Sequence, residues 1–241
     1  MKAIIKRELL AYFNSGIGYI FCAVYLFFAA LNFSTVLMQG RSDLFPQIYF
    51  AMLNIILLIL PVLTMRLFSE ERRQKTDQLL LTSPVGVWPL VCGKFFAALT
   101  VYAGCTAFTL VYVIVFWFLS PGSMWMVSPG LGLIMGNILG ATLFGAAFIA
   151  VGMFISSLTE SQVVAAIGTF FVATIFIILD VVPLDTANLA FVRAVTSISF
   201  VYRYNPFTIG ILDLTSVVFF LSICVIFIFL TVRMIERRRW S

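Results

Sequence analysis

No residue from Phe95 to Thr159 carries a charge. The interval is far too long for one helix, and Ser120-Pro121-Gly122 and Ser128-Pro129-Gly130 punctuate its middle. It therefore reads as two apolar helices joined by turn chemistry. The rest of the chain agrees: 62% of its 241 residues are apolar and only 10% are charged, against about 25% charged residues in a soluble domain. An integral membrane protein of the all-α class is expected. The absence of histidine removes imidazole metal sites and histidine-based acid–base catalysis. Cys22, Cys92, Cys105 and Cys224 are widely spaced, form no C-x-x-C pair and read as buried packing residues.

Charge-free intervals predict six membrane-spanning helices, at residues 17–38, 44–65, 95–119, 131–158, 161–179 and 214–232. The first is about 33 Å long at 1.5 Å per residue, enough for one crossing. Its apolar run exceeds the h-region of a secretory signal, so a retained anchor is expected. Lys2, Lys6, Arg7, Arg66, Arg72, Arg73, Lys75, Lys94, Arg233, Arg237, Arg238 and Arg239 fall on one side, whereas Arg41, Arg193 and Arg203 fall on the other. By the positive-inside rule both termini are cytoplasmic. Residues 1–13 fit an amphipathic interfacial helix, with Ile5, Leu9, Tyr12 and Phe13 on one face and Lys6, Arg7 and Glu8 on the other. A solvated extension of the first span is the alternative.

Two segments do not look like lipid-facing helix. Residues 69–93 carry Glu70, Glu71, Arg72, Arg73, Lys75 and Asp77, then Leu79-Leu80-Leu81 and the helix-interrupting Thr82-Ser83-Pro84. The interleaved acids and the leucine triplet suit a docking element for a soluble partner better than a loop that only obeys the positive-inside rule. Residues 181–212, on the outer side, mix Pro183, Asp185, Asn188, Arg193, Arg203, Asn205 and Pro206 with apolar runs. Re-entrant half-helices sheltered by protein fit that mixture, with an ordinary outer loop as the alternative. Pro206 lacks an amide hydrogen and disfavours a helical Asn205, so a break and a polar turn are expected there, with Tyr202 and Tyr204 at the interface.

Glu70-Glu71-Arg72-Arg73 through Leu79-Leu80, Thr82-Ser83-Pro84-Val85 and Gly93-Lys94-Phe95 resembles the signature between helices two and three of bacterial type-2 ABC transporter permeases. The opening Met1-Lys2-Ala3-Ile4 with Arg7-Glu8-Leu9, the turn from Ile155 to Gln162 and the closing Glu236-Arg237-Arg238-Arg239-Trp240 extend the resemblance over the chain. The gliding-motility-associated permease subunit is among the similar short members. Lys75 and Gln78 depart from the Gly and Glu of many members, and Ile209 from their Arg. The resemblance implies a coupling helix held in a groove of a separate ATPase subunit, an N-terminal elbow helix and re-entrant outer helices. It assigns coupling to Glu70, Glu71, Arg72, Arg73, Thr76, Asp77, Leu79, Leu80, Pro84 and Lys94, and an outer gate to Tyr202, Asn205, Pro206 and Phe207.

Gly86 to Gly93-Lys94 superficially suggests a P-loop, but six residues intervene instead of four and Phe95 follows the lysine. ATP and Mg²⁺ are thus expected in a partner ATPase, present in two copies, with no cofactor in this chain. Asp180, Asp185 and Asp213 lack an accompanying nucleophile or ligand set and read as solvated helix ends. Gly132, Gly136, Gly140, Gly145 and Gly152 recur along the fourth span, fit either for packing within one protomer or for a dimer seam. The reading is an exporter subunit for an amphiphilic or lipid-like cargo, in a homodimer or heterodimer in the bacterial cytoplasmic membrane, with a possible extracytoplasmic partner. Its rivals are an ATP-driven mechanical relay to an envelope partner and a membrane enzyme acting on lipid.

Overall fold

The computed structural model describes residues 2–39, 45–73, 86–119, 131–181 and 196–239. Among them no strand occurs. The helices are α1 (Lys2–Asn14), α2 (Ile17–Gln39), α3 (Phe45–Thr64), α4 (Arg66–Arg73), α5 (Val87–Phe108), α6 (Leu110–Leu119), α7 (Leu131–Leu158), α8 (Gln162–Val181), α9 (Phe200–Thr208) and α10 (Leu214–Arg239). Helices are what so apolar a chain requires, because in hydrocarbon each backbone N–H and C=O must find its partner within the segment. By length and composition, five described stretches are able to cross a membrane: Ile17–Met38, Pro46–Arg73, Val87–Val115, Gly132–Leu158 and Leu214–Arg238. The apolar part of α8, Gln162–Ile178, is shorter.

Several boundaries differ from those read in the sequence. The third span does not begin at Phe95 but at Val87, because Pro89 lies in the first turn, where its missing N–H would have had no helical partner. Residues 87–93, assigned to the connection, are therefore helix, and Lys94 lies two turns inside it. The same span is interrupted at Thr109, where Thr109 N–H reaches Thr106 O (3.3 Å) and Tyr112 N–H reaches Thr109 O (3.0 Å). The Thr109 hydroxyl also bonds Thr106 O at 2.5 Å and meets the Tyr49 hydroxyl at 2.9 Å, tying the interruption to α3. Gly16, at φ +76°, turns the chain from α1 into α2, a conformation an L side chain would strain.

α7 is the most deeply buried of the crossing helices, and its glycines explain why. A Cβ on Gly145 would stand 2.1 Å from Tyr102 Cε1, and one on Gly152 would stand 2.4 Å from Thr64 Oγ1. One on Gly140 would meet Phe207 Cβ and Cγ at 2.7 Å. Gly145, Gly152 and Gly140 thus seat α5, α3 and α9 within one protomer, whereas a Cβ on Gly132 would meet nothing within 4 Å. The cysteines are free, and Cys22 and Cys105 join α2 to α5 with their sulfurs 3.1 Å apart; Cys22 and Cys92 are only partly buried, against the expectation for all four.

Gly145→Ala should lower the unfolding temperature in detergent well below that of Gly132→Ala, because a Cβ at Gly132 meets nothing within 4 Å. Thermal unfolding of the two purified variants measures the difference. The overpacking cost at Gly145 is about 1–3 kcal/mol.

Candidate functional site

At one end of the bundle three elements meet around a buried charge. Lys94 on α5 is 1% exposed. Its ammonium lies 2.9 Å from Glu71 Oε1 on α4 and 3.3 Å from Glu8 Oε1 on α1, and 5.2 Å from the centre of the Phe68 ring. Arg7 closes a neutral quartet, with Nη2 at 2.7 Å from Glu8 Oε1 and 3.1 Å from Glu71 Oε1. Burial alone would push the Glu8 carboxyl up, but Lys94 and Arg7 outweigh it and hold it below the ordinary value of 4.5. α1 approaches so closely because Gly93 has no side chain: a Cβ there would sit 2.8 Å from Ile4 Cγ2.

This departs in part from the faces expected of α1, of which Ile5, Leu9 and Phe13 still share one surface. Glu8 turns into the protein instead of toward solvent, and the Tyr12 hydroxyl donates to Leu63 O at 3.0 Å. Leu10 and Phe13, 53% and 37% exposed, turn outward. The sequence also implied spans without ionisable groups, yet Lys94 lies within the Val87–Val115 stretch. An isolated ammonium would be intolerable there, whereas one held by two carboxylates is not.

α4 is fixed from its other sides too. Arg66 pairs with Glu70 (Nε to Oε2, 2.9 Å), lies over the Tyr12 ring and donates to Ser15 Oγ. Arg72 pairs with Glu160 at 2.6 Å and donates to Leu158 O at 3.2 Å, joining α4 to the turn between α7 and α8. Ser156 Oγ accepts the backbone N–H groups of Phe68 (3.1 Å) and Ser69 (3.2 Å) while donating to Met65 O (2.9 Å). Ser69 Oγ donates to Met65 O as well. One serine thereby satisfies both sides of the step between α3 and α4, where orphaned backbone groups would be costly. Glu8, Arg7 and Ser156 were not among the residues assigned to this site; the Arg7-Glu8 pair inside an apolar helix was the available signal, and Ser156 offered none.

Of the residues assigned to coupling, Glu70, Glu71, Arg72 and Lys94 are brought together, through contacts inside the protein. Arg73 is exposed at the end of α4. Thr76, Asp77, Leu79, Leu80 and Pro84 lie outside the described residues.

The residues assigned to the outer gate sit at the far end of α7. α9 begins at Ser199, whose hydroxyl accepts Tyr202 N–H at 2.9 Å. The expected break at Asn205-Pro206 does not occur: Pro206 is inside the helix. The chain stops at Gly210 (φ +77°), with Gly210 N–H bonded to Phe207 O (3.1 Å) and Ile211 N–H to Pro206 O (3.0 Å). That is a Schellman ending with glycine at C′, and it overrides the proline as the stop. Tyr204 is not interfacial but fully buried, with its hydroxyl 3.3 Å from Asn137 Oδ1. Phe207 is also buried, against Gly140, while Tyr202 and Asn205 are exposed. Phe200 packs tilted or edge-on among Phe148, Phe176 and Phe219, with ring centres 4.8, 4.4 and 5.6 Å away.

An apolar helical bundle with a short charged helix pinned at one end is the architecture expected of a membrane permease, and the family comparison agrees. The pattern of the ABC-2 family transporter proteins matches residues 24–239. The chain belongs to the ABC-2 transporter family. A search of curated proteins returned no significant match. Membership makes the chain a multi-pass membrane permease subunit of an ABC transporter, not itself the catalytic subunit, and implies partnership with an ABC ATPase.

Lys94→Met should destabilise this permease by about 3–5 kcal/mol, because it leaves Glu8 and Glu71 facing each other with only the half-exposed Arg7 between them. Arg7→Gln should cost at most about 1 kcal/mol. The lowered Glu8 pKa means that its contribution is present above 4.5 and is lost as pH falls below that value. Unfolding in detergent from pH 7 to pH 3 should therefore show an acid-side loss of stability that Glu8→Gln reduces.

Proposed function

We propose that the chain is one of two six-crossing permease subunits that enclose an export pathway for an amphiphilic or lipid-like cargo, driven by two ATPase subunits docked at the α4 end. In this reading ATP and Mg²⁺ belong to those partners, the membrane is the bacterial cytoplasmic membrane and both termini face the cytoplasm. The observation that carries it is the fixing of α4 to α1, α5 and the α7–α8 turn. A push on Arg66–Arg73 is delivered to much of the bundle at once. The clustering of basic residues at the same end supports its cytoplasmic placement. α8, 20 residues long and so about 30 Å, supplies the sixth crossing.

Docking contacts come from the exposed Arg73 and from the segment holding Thr76, Asp77, Leu79, Leu80 and Pro84. Glu70, Glu71, Arg72 and Lys94 position α4 from within. At the opposite end α9 serves as the gate element: Phe207 seats it on Gly140, Pro206 lies in its last turns, and Tyr202 and Asn205 face the pathway mouth. The 26 phenylalanines and the scarcity of charge favour an amphiphilic cargo over an ion.

Arg73→Glu should reduce co-purification of the ATPase and its stimulated turnover with little change in the permease's unfolding temperature, whereas Glu71→Lys should lower that temperature. Normal association and turnover with Arg73→Glu would remove this surface from the docking interface. A pairing of protomers is supported by α3, where Gln47 and Asn54 are exposed along with Phe50 and Leu58. Amide side chains are costly against lipid and suit a partner helix or a wet pathway. Asn54→Cys on a cysteine-free background should cross-link to a second permease in membranes; a monomer on the gel under oxidising conditions that cross-link a control pair would count against that face.

A further inference from the structure

We propose that the outward face of α1 binds an anionic phospholipid of the surrounding bilayer. The inference needs only that the chain sits in a membrane, so it stands or falls separately from the export reading.

The inward contacts of α1 are made by Ile4, Arg7, Glu8 and Tyr12. At 100° per residue Lys2, Lys6, Leu10 and Phe13 fall on the opposite side, with the half-buried Ile5 and Leu9 on the flank between, and these six line one shallow cleft of about 340 Å³. Exposed leucine and phenylalanine would be unfavourable against water, but hydrocarbon suits them. Lys2 and Lys6 are exposed at its rim, one helical turn apart and so about 5–6 Å between their Cβ atoms. Neither has an acidic partner among the described residues, and Glu8, the one acid of α1, is turned away to Lys94.

The occupant follows from that chemistry. Two ammonium groups at the edge of an apolar cleft match a phosphodiester headgroup above an acyl chain, with the lysine stems lying along the chain. Below the rim the apolar surface continues onto α2, because Phe13 meets Tyr19 edge to face at 5.2 Å and Tyr19 is 63% exposed. A zwitterionic headgroup brings its own cation to the lysines and loses the attraction; a net-anionic one keeps it.

The test uses the full-length purified chain in detergent. Dioleoyl phosphatidylglycerol and dioleoyl phosphatidylcholine are titrated in turn, and bound lipid is counted by native mass spectrometry. Retention of phosphatidylglycerol should be on the order of tenfold stronger, given the usual contribution of a lysine near an anionic surface. Lys2→Gln with Lys6→Gln should bring it to the level of phosphatidylcholine, as should high salt. Leu10→Ser with Phe13→Ser should weaken both lipids, and inorganic phosphate should displace neither. Equal retention of the two lipids by the wild-type chain, an unchanged preference in the lysine variant, or displacement by inorganic phosphate, which would mark a free-anion site, each overturns the proposal.

Discussion

An ammonium group taken out of water into an apolar bundle must bring carboxylates with it, and the placement of Lys94 organises one end of this molecule. Its desolvation costs several kcal/mol. Neither neighbour along α5 can help, since that helix has no other charge. Glu8 and Glu71 have to come from elsewhere, and they bring α1 and α4 into contact with α5. Once Glu8 points inward, helical geometry leaves no choice about the rest of α1: Leu10 and Phe13 turn out and the two lysines flank them. The inward turn of Glu8 accompanies the burial of Lys94.

The packing along α7 depends on a different economy of space. α7 carries glycine where α3, α5 and α9 cross it, so the side chains of Thr64, Tyr102 and Phe207 approach its backbone to distances that a Cβ would forbid. Without a hydrophobic driving force between helices in lipid, this close packing and the hydrogen bonds beside it, Tyr102 to Ala141 O at 2.8 Å and Ser156 to the α3–α4 step, are what hold the bundle. Gly140 under α9 and Ser156 under α4 are about 24 Å apart along one helix. A single buried element therefore touches both ends.

The helical class, the apolar stretches and the charged segment after the second span were legible because hydrocarbon leaves a one-dimensional signal: long runs without charge, ended by turn residues. Boundaries were less so. Pro89 and Pro206 are strong punctuation in a sequence, yet the first falls where a helix tolerates proline and the second precedes a stronger stop at Gly210. Which partner a charge takes was not legible at all. Glu71 and Arg72 read as surface charges for another protein, and the structure turns Glu71 toward Lys94 and Arg7 and Arg72 toward Glu160, contacts that join residues 23, 64 and 88 positions apart and leave no local pattern. That Tyr102, Thr64 and Phe207 fill the space over the glycine stripe could be known only by seeing them against it.

The internal use of those charges has a mechanical consequence. Had α4 been tethered by the chain alone, a force on it would first bend the Met65 step and be lost there. Instead, the serine at 156 holds both sides of that step, the quartet joins α4 to α1 and α5, and Arg72 joins it to the turn before α8. Moving α4 independently means separating partly buried pairs, at about 3–5 kcal/mol for a buried one. Moving it together with its neighbours keeps every pair intact. Discrete packing and low compressibility favour the second course, so a displacement of α4, whatever its cause, takes the form of a concerted shift of the attached helices. α9 is seated on the same α7, with its ring cluster against α8 and α10.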